Sequence, residues 1–256
     1  MPSNFASYPS LKGRTVFISG GGSGIGASMV EHFAEQGSKV AFVDIDDAAS
    51  NALVKKIGDA GHVAPLYRKC DVRDIKAYQA VIAEVAARLG AITVLVNSAA
   101  RDDRHKLEDV TPEFWDERIA VNLRHQYFAI QSVAPGMRQA GGGSIVNFSS
   151  VSYHGMTPNL SVYQAAKAAV VGMTRGLARD LGVDKIRLNI ITPGWIMTER
   201  QLKLWVTPEA EKASLDAQCL KEKLYPPDIS RMVLWLAADD SRLVTAQDFT
   251  VDGGRR

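Results

Sequence analysis

A tyrosine and a lysine stand four positions apart in the stretch "SVYQAAKAAV", residues 161–170. Because residues four apart share one face of a helix, Tyr163 and Lys167 would project together. A free phenol has a pKa near ~10, and a neighbouring ammonium favours the phenolate, so the lysine would lower that pKa. Tyr163 would then serve as a general base near neutral to mildly alkaline pH. The same spacing also occurs in surface helix pairs, so other residues must decide between the two interpretations.

Two polar residues elsewhere in the chain favour catalysis. Ser150 ends a predicted strand, which places its hydroxyl at the carboxyl edge of the sheet, where open α/β folds bind ligands. Asn122 lies in "AVNLRH", an apolar helical stretch in which a polar side chain needs a reason. The candidate catalytic residues are therefore Ser150, Tyr163, Lys167 and Asn122.

A glycine-rich turn, "SGGGSGIG" at residues 19–26, lies between the first predicted strand and the first predicted helix. A residue without a Cβ permits a tight turn and the close approach of a phosphate, and the helix N-terminus supplies free N–H groups. A plain flexible loop is the alternative, and the strand–turn–helix context argues against it. The predicted dinucleotide contacts in this turn are Gly20, Ser23, Gly24, Ile25 and Gly26.

Asp44 ends the second predicted strand, close to the offset at which an acid contacts the adenosine ribose in dinucleotide-binding folds. Its carboxylate can accept hydrogen bonds from ribose hydroxyls and would repel a 2′-phosphate. No lysine or arginine lies within the glycine turn or directly after Asp44 to offset that repulsion. The sequence therefore predicts NAD as the cofactor, with NADP as the less favoured choice. A helix N-cap is the alternative role for Asp44, and Asp46 could supply one as well.

Short apolar segments alternate with longer amphipathic ones along the chain. Strands are predicted at 14–20, 39–45, 63–71, 92–99, 144–150, 186–192 and 248–253, with 63–71 the weakest. Helices are predicted at 24–36, 46–58, 74–89, 111–139, 160–181 and 227–238. Thr111 and Pro112 are a typical helix start, as N-cap and first helical residue.

This alternation predicts an α/β fold, a single Rossmann-type doubly wound parallel sheet of about seven strands with helices on both faces. We expect one dinucleotide-binding and catalytic domain spanning residues 1–256. The least periodic region, about 194–226, is predicted to be an irregular substrate loop, since long irregular stretches in compact domains are often functional.

Composition narrows the classes of function. The 256 residues are 46% hydrophobic and 23% charged, as in globular proteins, and the net charge of +2 gives no electrostatic case for a nucleic-acid partner. The two cysteines fit a reducing compartment, and the start "MPSNFASYPS" lacks the features of a secretion signal. No apolar run approaches the ~20 residues that span a membrane. The histidines lack metal-ligand spacing. These features predict a cytoplasmic protein without a membrane, nucleic-acid or metal partner.

These motifs, with "CDV" (70–72), "NSAA" (97–100) and "PGWIMT" (193–198), resemble those of the short-chain dehydrogenase/reductase family over about residues 11–254. The resemblance implies that Tyr163 is the general acid/base, that Lys167 holds the nicotinamide ribose, that Ser150 bonds the reacting oxygen, and that Asn122 supports a water in the proton relay. It also implies cofactor contacts from Asp71, Val72, Asn97, Ala99, Tyr163, Lys167, Pro193, Gly194, Ile196 and Thr198.

The charge run "RDDRHK", residues 101–106, follows "NSAA" and therefore lies beside the nicotinamide half of the predicted cleft. Arg101 and Lys106 are expected to point outward. Asp102, Asp103 and His105 are the candidates to face a substrate, although a solvated loop is the alternative for each. Carboxylates and imidazoles suit a polyhydroxylated ligand, whereas a fatty-acyl chain would need an apolar channel.

Residues 102–125, "APGM" (134–137) and "AQCLK" (217–221) resemble the bacterial aldose 1-dehydrogenases of this family, of the D-xylose or L-arabinose type. That resemblance implies NAD-dependent oxidation of a sugar at C1 to the aldonolactone, with His154, Asn159 and Trp195 completing the pocket. For His154 a surface position is equally open. The family's common assembly implies a homotetramer. The rival functions are a 3-oxoacyl-carrier-protein reductase and a dinucleotide sensor without catalytic activity. The preferred sugar is not predicted.

Overall fold

Seven parallel strands form one sheet in the computed structural model, which describes residues 5–255. They are β1 (Thr15–Ser19), β2 (Lys39–Asp44), β3 (Leu66–Lys69), β4 (Ile92–Asn97), β5 (Gly143–Phe148), β6 (Ile186–Pro193) and β7 (Asp248–Val251). The strand order is β3-β2-β1-β4-β5-β6-β7, with every neighbouring pair parallel. The predicted fold class, a doubly wound sheet of about seven strands, is confirmed.

The helices cover both faces of this sheet. They are α1 (Gly24–Glu35), α2 (Asp47–Asp59), α3 (Ile75–Leu89), α4 (Pro112–Ile119), α5 (His125–Gln139), α6 (Ser161–Leu181), α7 (Glu199–Leu204), α8 (Pro208–Ala217) and α9 (Pro226–Ala237). Successive strand residues point to opposite faces, so Val16 and Ile18 join a core with α1, α2 and α9, while Phe17 joins a second core with α3, α5 and α6. Both faces of β1 are therefore buried, which explains its continuous apolar sequence.

The strand order reverses between β1 and β4, which are neighbours in the sheet. At such a switch point the loops after adjacent strands diverge and leave a crevice at the carboxyl edge. Ser19 and Asn97, the last residues of the two strands, are in register there. The chain segments after β1 and β4 therefore open onto one cleft.

The predicted helix at 111–139 is interrupted. The π-helical turn Ala120–Arg124 separates α4 from α5, although the backbone keeps helical dihedral angles across the junction. Asn122 lies at the centre of this turn and donates from Nδ2 to the carbonyl oxygens of Arg118 (2.9 Å) and Arg101 (3.1 Å). Such wider turns are frequent at functional sites, and the polar residue noticed in the sequence marks this one.

The prediction that 194–226 is irregular is wrong. The segment contains the short helices α7 and α8, each with a threonine at its N-cap. The hydroxyl oxygen of Thr198 accepts from the N–H of Gln201, and that of Thr207 accepts from the N–H of Ala210. None of the helices within residues 5–255 is both long and apolar enough to cross a membrane.

Candidate active site

A cleft of about 1140 Å³ opens at the carboxyl edge of the sheet. Its walls come from the segments that follow β1 to β6 and from α6, α7 and α8. The predicted site residues that line it are Gly20, Ser23, Gly24, Ile25, Gly26, Asp44, Asp71, Val72, Ala99, Ser150, Tyr163, Lys167, Pro193, Gly194, Trp195, Ile196 and Thr198. The structure thus gathers residues from the whole length of the chain into one site.

The glycine turn is shaped so that its backbone lies open to the cleft. Gly20 has a φ of +71°, and a Cβ there would stand 2.8 Å from the Cα of Ala99. A Cβ on Gly26 would stand 1.7 Å from the carbonyl oxygen of Gly20, so only glycine fits. The N-terminus of α1 begins at Gly24 beside this turn, with free N–H groups. These residues fit the pyrophosphate of a dinucleotide.

Asp44 borders the cleft at the end of β2. Its Oδ2 accepts from the N–H of Gly22 at 2.8 Å, and its Oδ1 accepts from the N–H groups of Ile45 at 2.7 Å and Asp46 at 3.1 Å. The carboxylate has further lone pairs with which to accept a ribose hydroxyl. The N-cap of α2 is Asp46, whose side chain accepts from the N–H of Ala49, so the alternative role of Asp44 as a helix cap does not hold.

Tyr163 and Lys167 lie on the first turns of α6, as their spacing predicts. The Lys167 side chain is buried, and its Nζ lies 5.5 Å from the centre of the Tyr163 ring. Nζ donates to the carbonyl oxygen of Phe148, the last residue of β5, at 2.8 Å. The Ser150 side chain lies close enough to the Tyr163 hydroxyl to lower the pKa of the phenol. Serine, tyrosine and lysine thus meet at the carboxyl end of β5.

Burial raises the pKa of Tyr163 well above its ordinary value, and the negative charge of Asp102 adds to this effect. The nearby Ser150 hydroxyl and the charge of Arg104 act on the pKa of Tyr163 in the opposite direction. Burial also lowers the pKa of Lys167 to about 7, against the opposing effect of Asp102. The predicted net lowering of the tyrosine pKa is therefore wrong in this structure, because burial outweighs the groups that favour the phenolate.

His125 lies beneath this group and is fully buried. Burial, with the nearby charge of Lys167, lowers the pKa of His125 to about 3, so its imidazole stays neutral at physiological pH. Its Nε2 lies 3.2 Å from the carbonyl oxygen of Ala99. His125 therefore adds no charge to the surroundings of Lys167.

Asn122 and Asn97 lie behind the cleft. The Oδ1 of Asn122 accepts from the N–H of Arg101 at 2.9 Å, in addition to its two donated bonds, so this side chain holds the start of the 101–106 loop. Asn97 is buried and donates from Nδ2 to Oδ1 of Asn147 at 2.9 Å. The water relay proposed for Asn122 and the cofactor contact proposed for Asn97 stay predictions.

The two aspartates of the 101–106 loop have different surroundings. Asp102 lines the cleft, and its Oδ2 accepts from Nε2 of Gln201 at 2.9 Å. Asp103 is absent from the lining and forms ion pairs with Arg118, Arg101 (2.9 Å) and Arg200 (3.0 Å). The prediction that Asp103 faces a substrate is corrected, because three guanidinium groups hold its carboxylate.

The three predicted polar contacts His105, His154 and Asn159 also lie outside the cleft lining. His105 is buried, and its Nε2 accepts from the N–H of Val162 at 3.3 Å, which holds the loop against the start of α6. His154 is exposed and stacks on Tyr153, with ring centres 3.7 Å apart. Asn159 is exposed, has a φ of +60°, and accepts with its carbonyl oxygen from the N–H of His105. As substrate contacts, all three predictions are corrected.

Several lining residues were not predicted from the sequence, among them Arg104, Gln201 and Trp205. Trp195, which was predicted, donates from Nε1 to Oε1 of Gln201 at 2.9 Å. Trp205 follows α7, in the segment predicted to be irregular, so no periodic signal pointed to it. The described part of the chain, residues 5–255, contains no group of three or more histidine, cysteine, aspartate or glutamate residues arranged to hold a metal ion.

Comparisons with known proteins agree with this geometry. A family model described as enoyl-(acyl carrier protein) reductase matches residues 20–256. A D-xylose 1-dehydrogenase of Caulobacter vibrioides is 49% identical over 98% of this chain and 99% of its own length. A protein of Rhizobium meliloti described as a probable galactose dehydrogenase is 49% identical over 96% of each chain.

Solved structures show the same architecture. A 7α-hydroxysteroid dehydrogenase, complexed with NADH and 7-oxo-glycochenodeoxycholic acid, superimposes with a TM-score of 0.91 over 96% of both chains at 31% identity. The chain therefore has the fold of oxidoreductases that act on CH–OH groups.

Proposed function

The chain belongs to the short-chain dehydrogenase/reductase family, and we propose that it oxidises an aldose at C1 to the aldonolactone with NAD as the hydride acceptor. The observation that carries this proposal is the placing of Asp102, a charged acceptor, on the wall of the cleft that also holds the Ser150–Tyr163 pair. A charged carboxylate beside the reacting group suits a polyol and opposes an acyl chain. The two 49%-identical relatives, named for xylose and galactose, support a sugar substrate.

Tyr163 removes the proton from the anomeric hydroxyl, and Ser150 holds the same oxygen through a hydrogen bond. The glycine turn and Asp44 would hold NAD, which would supply the acceptor for the hydride that leaves C1. One aldose and one NAD⁺ thus give one aldonolactone, one NADH and one proton. Lys167, with a pKa of about 7, changes its protonation near neutral pH and can pass the proton onward.

The high pKa of Tyr163 means that most of the phenol is protonated at neutral pH. Its hydroxyl must lose a proton before it can act as a base, and burial opposes the phenolate. The positive charge of oxidised NAD would favour the phenolate if it lies close by. Oxidation is therefore expected to accelerate as the pH rises.

The preference for NAD over NADP is argued from the adenosine end of the cleft. Asp44 and Asp46 both border it, and their charges oppose a 2′-phosphate. Arg73 also borders this end, but it is paired with Asp71 and Glu117, so its charge is already offset. We expect kcat/KM with NAD to exceed that with NADP by about tenfold or more.

A panel of pentoses and hexoses assayed with NAD and with NADP tests both parts of the proposal. NADH formation with at least one aldose, and weaker activity with NADP, are the expected results. A 3-oxoacyl thioester reduced with NADPH faster than any sugar is oxidised would favour the rival reductase, in line with the description of the matching family model. A nucleotide bound without turnover of either substrate would favour a sensor.

We also propose that the protein acts as a cytoplasmic homotetramer without a nucleic-acid or membrane partner. The α4–α5 segment carries the half-exposed aromatic side chains Trp115 and Tyr127, which suit a contact between subunits. Light scattering coupled to gel filtration measures the assembly directly. A mass of about four chains is expected, and a monomer would contradict this part of the proposal.

A further inference from the structure

Arg104 differs from the other arginines around the 101–106 loop. Arg101 and Arg200 pair with Asp103, at 2.9 and 3.0 Å, and Arg118 pairs with the same carboxylate. Arg104 lines the cleft, and within residues 5–255 no carboxylate forms an ion pair with it. Its Nε is buried without a hydrogen-bond acceptor. A guanidinium in this state leaves strong donors unused on the wall of the site.

Trp205, which packs against Arg104, also carries a buried donor without an acceptor. The guanidinium carbon of Arg104 lies 5.0 Å from the centre of the Trp205 ring, so the two side chains stack. The indole Nε1 of Trp205 is also buried, and no acceptor from the described residues reaches it. Most buried donors in proteins are paired, so two unpaired donors in one stacked pair point to an acceptor that the bound substrate brings.

Asp102 supplies a negatively charged hydrogen-bond acceptor on the same wall of the cleft. Its negative charge raises the pKa of Tyr163 and the charge of Arg104 lowers it, so both groups lie within electrostatic reach of the reacting hydroxyl. The two oxygens of Asp102 accept from Nε2 of Gln201 at 2.9 Å and from Nε of Arg200 at 3.4 Å, and each keeps a lone pair for another donor. A site with both an acceptor and donors suits a hydroxyl, which can donate and accept at once.

We propose that Asp102, Arg104 and Trp205 form a subsite that recognises one ring hydroxyl of the aldose other than the anomeric one. Asp102 accepts the proton of that hydroxyl, while Arg104 and Trp205 donate to its oxygen. This inference rests on the proposed sugar-oxidising function. A substrate carboxylate fits less well, because Asp102 would repel it.

The test compares the best aldose with its monodeoxy analogues, each lacking one ring hydroxyl. Because a buried site built to bond a hydroxyl rejects the analogue that lacks it, wild-type protein should oxidise one analogue with kcat/KM about 10- to 100-fold below that of the parent sugar. The discrimination ratio is kcat/KM for the parent sugar divided by kcat/KM for an analogue. Arg104→Met should reduce this ratio about tenfold for the same analogue and leave the ratios of the other analogues unchanged. Trp205→Phe keeps the ring and removes the N–H, and should reduce the same ratio by a few fold.

Lys106→Met is the matched control, since it removes one positive charge from the same loop at an exposed residue outside the cleft lining. Its ratios should equal those of the wild type, and thermal melting with NAD titration shows whether each variant is folded. Ratios unchanged in both Arg104→Met and Trp205→Phe would overturn the subsite. A uronate oxidised faster than every neutral aldose would overturn it as well. Wild-type protein that oxidises no aldose would instead refute the proposed function, and the subsite with it.

Discussion

Replacing Lys167 with methionine tests how the buried lysine is held. Burial lowers the pKa of Lys167 from 10.5 to about 7, so the folded protein resists carrying this charge. At about 1.4 kcal/mol per pH unit, the charged ammonium destabilises the fold by up to about 5 kcal/mol below pH 7. Methionine has a similar length and no charge, so the variant escapes this penalty. It also loses the bond to the carbonyl oxygen of Phe148, which costs roughly 1–3 kcal/mol at any pH.

The dependence on pH separates the two effects. Between the folded and unfolded pKa values, the unfolded wild-type chain binds more protons at this lysine than the folded protein does. The unfolding free energy of the wild type should therefore rise relative to that of Lys167→Met by about 2 kcal/mol between about pH 7 and about pH 9. The penalty is fully present below pH 7 and is lost as the pH rises towards 10.5.

Urea unfolding of both proteins at several pH values measures this difference. The contributions of Tyr163 and His125 to the difference in unfolding free energy should cancel between the two proteins. The pKa of Tyr163 is raised, and His125, with a pKa of about 3, stays neutral across this range. Lys106→Met, at an exposed lysine, should show no such trend. A wild-type-minus-variant difference that stays constant within about 0.5 kcal/mol would refute the buried, charge-resisting lysine.

Three further substitutions probe the rest of the site. Asp102→Asn removes a charge that raises the pKa of Tyr163, so the rise of kcat with pH should shift to lower pH, and an unshifted profile would contradict this. Gly26→Ala would place a Cβ 1.7 Å from the carbonyl oxygen of Gly20, so we expect loss of NAD binding or of the fold. Nucleotide titration and the melting temperature measure these two effects, and wild-type values of both would contradict the close packing of the turn. Asn122→Ala deletes three hydrogen bonds and should lower the unfolding free energy by about 2–3 kcal/mol. It should also raise KM for the sugar more than KM for NAD, and an equal rise in both KM values would contradict the role of Asn122 in holding the 101–106 loop.

Features that depend on local sequence were predictable from the sequence. The strands at 39–45 and 186–192 are buried on both faces, and their continuous apolar sequences predicted them. The glycine turn and Asp44 each lie at the junction of a strand and a helix, and Tyr163 and Lys167 share one face of α6, so their positions follow from the local chain. The segment 194–226 could have been predicted better, since Thr207 followed by Pro208 is the same helix start that was recognised at Thr111.

Features that depend on distant partners were not predictable. Asp102 and Asp103 are adjacent and chemically identical, and Arg200 pairs with both, whereas Arg118 pairs with Asp103 and draws that carboxylate away from the cleft. Likewise, Arg104 belongs to the site through its contact with Trp205, about a hundred residues away in sequence. The pKa of Lys167 depends on burial, which its spacing from Tyr163 does not reveal.

Transfer of deuterium from C1 of an aldose tests the central claim most directly. The best aldose of the panel, labelled with deuterium at C1, is incubated with NAD and the protein, and both products are examined by mass spectrometry. We predict one deuterium in the NADH, none at C1 of the resulting lactone or its hydrolysis product, and loss of nearly all turnover in Tyr163→Phe while NAD still binds. Deuterium retained in the oxidised sugar, or full activity of Tyr163→Phe, would contradict oxidation at C1 with Tyr163 as the base.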